Sequence, residues 1–177
     1  SVLLLEKDDE ILKGGTAKSQ NRLHLGLHYP RDLETAIQSK LGFIQFSKRY
    51  PQVVRNDFPN YYAIAAKGSR VNSKQFQEFA LTAGISLRKL QSELPFGIAA
   101  KSIEGIWECD EGVIDINKFR EQLKNELNAQ NIEIKKNIEI TRIVKESTKW
   151  KLQTSTGEEI GNFDYIVRAT YGTDRIE

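Results

Sequence analysis

Residues 2–6, VLLLE, are four apolar side chains in a row closed by a carboxylate. A strand with one wet face alternates apolar and polar residues, so a run with no polar face has to be covered on both sides, as inner strands of parallel sheets are. The run predicts an inner parallel strand. It also puts Glu6 at the strand's carboxyl end, where open α/β sheets collect their ligands. Next, DDEILK with Gly14 and Gly15 predicts a short helix stopped by the glycines.

From Asp32 to Arg49, Leu33, Ile37, Leu41, Ile44 and Phe46 recur at near-helical spacing, with Asp32 as candidate N-cap and Pro51 as stop. NYYAIAAK (60–67) reads as a strand, and 72–84 as a helix capped at Asn72 or Ser73 and closed by Gly84. Pro95 and Gly97 punctuate the next stretch, and GIWECDEGVID (105–115) reads as a strand with a turn. Phe119, Leu123 and Leu127 mark a helix over 115–132, with Asp115 as its cap. IEITRIVKES and KWKLQTSTGEEI, joined at ESTK, predict a hairpin, and YIVRAT (165–170) predicts a further sheet strand. A chain that opens on one inner strand and closes just past another is expected to be a piece of a longer polypeptide.

At 177 residues, 39% hydrophobic and 28% charged, the chain is large enough for a single core. Its 26 basic and 24 acidic residues alternate in sign, so no stripe forms that would neutralise a phosphate backbone, and nucleic acid is not an expected partner. No window approaches the ~20 apolar residues of a bilayer span, and the first apolar run is too short for a signal peptide. Cys109 is the one cysteine, which rules out a disulfide within this chain and suits a reducing, cytoplasmic setting; its expected role is a small buried apolar residue.

The segment QNRLHLGLHYPR, residues 20–31, holds both histidines of the chain. A metal centre is not expected: Gly26 and Pro30 argue against a helix that would align His24 with His28, and the other candidate ligands are scattered carboxylates. An extended segment would still put both rings on one face, with Gly26 letting a flat ring approach the backbone. Before it, GGTAKSQNR offers Thr16, Ser19, Gln20, Asn21 and Arg22 as close-spaced polar groups that could wrap a phosphate or a polar ring edge; a plain loop is the alternative. A carboxylate such as Glu6 could accept both hydroxyls of a ribose, or be simply solvated after its strand. No serine or cysteine stands in a nucleophile elbow.

Taken in order, Glu6 after VLLL, GGTAKSQNRLHLGLHYPR, GVIDINKFREQLKNEL with NIEIKKNIEITRIV, and DYIVRATYG resemble one family. It is the FAD-dependent oxidoreductases of the D-amino-acid oxidase and glycerol-3-phosphate dehydrogenase superfamily, nearer its 2-hydroxyglutarate oxidase-like members. The resemblance implies a mixed α/β chain: a partial Rossmann-like FAD-binding domain, residues 1–31 and 114–177, with part of an inserted substrate domain, 32–113. It implies FAD as cofactor, with Glu6 and Lys7 at the adenosine ribose and Thr16, Ser19, Asn21 and Arg22 near the ribityl chain and flavin. His24 and His28 would pass beside the isoalloxazine, the backbone around Ile140 would touch the adenine, and Ala169, Thr170 and Gly172 would turn beneath the pyrophosphate.

The reaction implied is oxidation of a small hydroxy acid or amino acid, with hydride passing to the flavin. His28 is the candidate proton acceptor, and Tyr29 and Arg31 are candidates for orienting a substrate carboxylate. The family's Gly-rich first strand and helix and its C-terminal half are missing from this sequence, so this chain alone is expected neither to hold FAD tightly nor to turn over. The competing reading is a non-catalytic interaction or scaffold domain that keeps a degraded dinucleotide fold.

Overall fold

The computed structural model describes residues 1–90, 97 and 99–170. In chain order the elements are β1 (Leu3–Leu5), α1 (Gly15–Lys18), β2 (Arg22–Leu23), α2 (Leu33–Arg49), β3 (Val54–Arg55), β4 (Asn60–Ala65), α3 (Ser73–Thr82), β5 (Arg88–Lys89), β6 (Ile103–Cys109), β7 (Gly112–Ile114), α4 (Ile116–Ala129), β8 (Glu133–Lys135), β9 (Ile140–Glu146), β10 (Lys149–Thr154) and β11 (Glu159–Phe163). They divide into two units, one of Ser1–Ser19 with Arg120–Glu177 and one of Gln20–Phe119. Among the described residues no helix is long and apolar enough to cross a membrane.

In the first unit β1 pairs in parallel with β8, Leu4 opposite Ile134. The hairpin expected at ESTK forms between β9 and β10, turning at Ser147 with φ 54, and the chain bends again at Gly157 to add β11 as a third antiparallel strand. Two expectations fail here. Residues 165–169 form no strand, and Tyr165 and Val167 are almost wholly exposed. β1 is therefore paired on one side among the described residues, and Leu3–Leu5 are half-buried rather than enclosed. DDEILK likewise forms bends and turns, because Leu12 adopts φ 63, a left-handed conformation that interrupts the helical repeat. The helical turn α1 starts at Gly15 instead of ending there. What fixes the irregular segment is α4: Arg120 Nε donates to the Ile11 carbonyl at 2.9 Å and Lys124 Nζ lies 2.6 Å from Glu10.

The second unit holds two antiparallel three-stranded sheets, ordered β2–β7–β3 and β4–β6–β5. β6 ends at Cys109 and β7 begins at Gly112, so Asp110 and Glu111 alone carry the chain from one sheet to the other. Both expected helices form with their expected caps. Asp32 accepts from the Thr35 N–H at 3.0 Å, and Asn72 and Gln75 complete a reciprocal capping box on α3. The core gathers Leu27, Ile64, Phe76, Ala80, Ala83, Ile85, Trp107 and Cys109, with the Phe76 and Trp107 rings 5.2 Å apart. Cys109 is buried as expected, and burial raises its thiol to about 11.

α2 covers the expected residues but does not turn its apolar stripe inward. Leu33, Ile37, Leu41 and Ile44 are each 39–52% exposed, while Ala36 is fully buried. The cause is a close backbone approach: a Cβ on Gly26 would lie 2.6 Å from the Ala36 carbonyl oxygen, so the turn at Gly26 seats against the small-residue side of the helix.

The unit boundaries also differ from the domain limits read at residues 31 and 114. Arg22 and Leu23 pair with Val113 and Gly112 of β7, which ties residues 20–31 to the middle of the chain. Phe119 contacts Phe46 and Tyr50 at ring separations of 5.3 and 5.0 Å, which keeps the start of α4 in the second unit.

Candidate functional site

The second unit encloses a carboxylate. Glu111, in the link between the sheets, has a side chain with 0% exposure. Asn60, at the start of β4, donates its side-chain amide to the Glu111 backbone carbonyl at 2.8 Å and so fixes the link. Around the carboxylate, the Leu25 N–H meets Oε1 at 2.8 Å and Arg22 Nη2 meets Oε2 at 2.7 Å. The Tyr62 hydroxyl lies 3.2 and 3.0 Å from the two oxygens, and His24 Nδ1 is 3.3 Å from Oε2. A carboxylate has about four lone-pair sites, and four donor groups converge on this one. A charge held away from water is tolerated when it is paired and hydrogen-bonded in this way.

His28 joins the cluster from outside. Its Nδ1 is 2.9 Å from the Tyr62 hydroxyl, and its ring is exposed. The two histidines meet edge to face with centroids 3.8 Å apart, because the chain reverses between them: Gly26 takes φ +98 and its carbonyl accepts from the Tyr29 N–H at 3.0 Å. The segment is a turn and not the extended run considered as one possibility, and the space at Gly26 is taken by the backbone of Ala36. Partial burial lowers the pKa of His28, and the neighbouring His24 adds to the effect, so the ring is neutral near pH 7. Burial raises the Tyr62 phenol, with Glu111 as the next cause, so it keeps its proton.

The carboxylates are not all scattered. One nitrogen from each histidine and one oxygen of Glu111 lie within 4.8 Å of each other. Every lone-pair site of Glu111 already faces a donor, one of them the Arg22 cation, so an ion drawn to the three would have to displace those contacts.

The remaining expected site residues are distributed between the units. Asn21, Arg22, His24, His28, Tyr29 and Arg31 belong to the second, where Tyr29 and Arg31 are exposed in the turns leading into α2. Arg22, expected near a flavin, has Nη2 on Glu111 and Asn60, while its Nε is buried with no hydrogen-bond partner. Asn21 takes φ 53, and its carbonyl accepts from the Ile114 N–H at 2.7 Å.

Glu6, Lys7, Thr16, Ser19, Ile140, Ala169 and Thr170 belong to the first unit, and Gly172 lies outside the described residues. Glu6 stands just past β1, with one carboxylate oxygen accepting the Asp8 N–H at 3.0 Å. Thr16 and Ser19 sit in and after α1, where the Ser19 hydroxyl donates to the Thr16 carbonyl. Ile140, Ala169 and Thr170 line a cleft of about 380 Å³ together with Val2–Leu5, Ile143 and Leu152.

No protein-family model matches the chain. The FAD-dependent monooxygenase FPY4 of Fusarium mangiferae is 26% identical over 171 residues, spanning 97% of this chain and 43% of that protein. The crystal structure of glycine oxidase from Geobacillus kaustophilus superposes on 95% of this chain with a TM-score of 0.71 at 13% identity. NikD, an unusual amino acid oxidase essential for nikkomycin biosynthesis, superposes on 88% with a TM-score of 0.66 at 15% identity. The chain has the amino acid oxidase fold. That agrees with the mixed α/β class and the superfamily resemblance read from the sequence. The portion of the oxidase fold present here spans 48% of the glycine oxidase chain and 42% of NikD, less than half of each.

Sequence reasoning names Arg22, His24 and His28 but misses what joins them. In the sequence Glu111 is one of several acidic residues beside a turn, and Tyr62 and Asn60 are parts of a strand. The signal that could have singled out Glu111 is its place between two apolar strand segments, WEC and GVI, where a charge has no route to water once both sheets are packed.

Proposed function

We propose that this chain is part of an FAD-dependent oxidoreductase that oxidises a small amino acid or hydroxy acid. The observation that carries the reading is the cleft of the first unit, where Ile140, Ala169 and Thr170 come together beside β1, the strand that Glu6 follows. Its walls are mainly aliphatic, suited to a flat adenine, with Thr170 supplying a hydroxyl, and Glu6 follows directly on the strand residues that line it. The donor set fits an adenosine group. In the second unit the unpartnered Nε of Arg22 is a buried donor that a bound acceptor would complete. The name of the FAD-dependent monooxygenase relative and the fold of the two amino acid oxidases point the same way.

On this reading the first unit is the cofactor side and the second, which contains His28, Tyr29 and Arg31, the substrate side. Bound FAD supplies a two-electron acceptor. The chain's own part is placement and proton handling. Arg31 holds a substrate carboxylate, with Tyr29 beside it, and neutral His28 takes the proton from the substrate hydroxyl or ammonium.

The test is the full-length protein. It is expected to purify with the visible absorption of a flavin or to gain thermal stability on adding FAD. Glu6→Ala is expected to weaken FAD binding at least about tenfold, since hydrogen bonds to a charged group contribute roughly 1.5–3 kcal/mol each. A full-length protein that takes up no flavin would favour the scaffold reading instead.

A further inference from the structure

We propose that Glu111 is a positioning residue that, through Tyr62, holds His28 with its proton on Nδ1 and its lone pair on Nε2, making Nε2 the proton-accepting atom. The inference rests on the reading of His28 as the base, and deepens it by naming the atom and what sets it.

Counting hydrogens gives the direction of each bond. The Tyr62 oxygen lies 3.0 and 3.2 Å from the carboxylate oxygens of Glu111 and 2.9 Å from His28 Nδ1. It carries one hydrogen, and a carboxylate can only accept. If that hydrogen pointed at His28, lone pairs of Tyr62 and Glu111 would face each other at hydrogen-bond distance inside a buried site, which is costly where the dielectric is low. The hydrogen therefore goes to Glu111, and the Tyr62 oxygen accepts from His28, which requires N–H at Nδ1. The same count applies to His24, whose Nδ1 faces Glu111 Oε2 at 3.3 Å and must donate.

Each neighbour fits the assignment. Arg22 Nη2 and the Leu25 N–H keep the carboxylate in place as an acceptor. The Arg22 guanidinium lies 5.7 Å from the Tyr62 ring centroid, and the Phe76 ring stacks 6.1 Å from it. His28, its Nδ1 fixed, is an exposed residue whose ring also meets His24 edge to face. When Nε2 takes up the substrate proton, the positive charge forms next to a phenol whose own hydrogen bond ends on a carboxylate. The groups facing His28 among the described residues are thus His24, Tyr29, Tyr62, Arg22 and Glu111, and the carboxylate opposes the two basic ones without cancelling them.

The test is long-range proton–nitrogen correlation NMR on the full-length protein, labelled at histidine and held above pH 7, with substrate turnover measured in parallel. A His28 spectrum with a pyrrole-type Nδ1 and a pyridine-type Nε2 is expected. Tyr62→Phe, which keeps the ring packing, is expected to release His28 to a mixture of tautomers and to lower kcat about 100-fold with little change in KM. Glu111→Gln should shift the tautomer balance in the same direction, and Glu111→Asp should partly restore it. A wild-type spectrum with the proton on Nε2, or a Tyr62→Phe spectrum identical to wild type, overturns the proposal. Because the NMR signature needs no flavin, a protein with the expected tautomer and no oxidation would refute the proposed function while leaving the positioning role standing.

Discussion

Arg22 Nη2 lies 2.7 Å from Glu111 Oε2, across 89 positions of sequence. The pair joins β2 to the corner between β6 and β7, and the carboxylate has no exposed surface. Removing one partner from such a pair strands the other. Glu111→Ala is expected to cost about 3–5 kcal/mol in equilibrium urea unfolding. The double change Arg22→Met with Glu111→Leu should recover much of it, because apolar replacements of similar volume leave no stranded charge.

Gly26 is expected to reject any side chain. Its φ of +98 disfavours L residues, and an added Cβ would press within 2.6 Å of the Ala36 carbonyl oxygen. Gly26→Ala should lower the thermal midpoint by the equivalent of about 1–3 kcal/mol or more. The same change at Gly157, which also has positive φ but no atom within 4 Å of the added Cβ, should cost less.

His28 gives stability a pH dependence of definite sign. Its native pKa lies below the ordinary 6.5, so between those two values the unfolded chain binds more protons than the native one. The contribution is complete above about 6.5, falls as pH drops through that window and levels off below the native value. Urea midpoints measured from pH 7.5 down to 5 should show the decline, and His28→Gln should flatten it. A His28→Gln slope equal to wild type would contradict the shift.

Cys109 should be inert while the protein is folded. Burial holds its thiol at about 11 and blocks access, so the reactive thiolate is scarce at neutral pH. Alkylation by iodoacetamide at pH 8 is expected to be slow in buffer and rapid in denaturant. Equal rates in both would show that the β6 strand end is open.

The local elements could be read from residue order because local chemistry decides them. Asp32 caps α2, Asn72 caps α3, and ESTK turns a hairpin, since each depends on side chains within a few positions of the backbone they satisfy. The resemblance to flavin oxidases was also legible, because it lies in the order of short segments. Periodicity did not tell which side of a helix is covered: α2 has its apolar stripe at 33, 37, 41 and 44, yet Ala36 is what the fold buries.

Apolar character alone likewise did not make 165–170 a strand, since a strand exists by virtue of the neighbour that completes its hydrogen bonds. Residue order by itself determined α2, α3 and α4, the caps of α2 and α3 and the β-hairpin of this protein. Tertiary structure decided that Glu111, Tyr62 and Arg22 would meet the two histidines. A carboxylate's partners are whatever donors the packed sheets bring within about 3 Å, and no sequence interval encodes that distance.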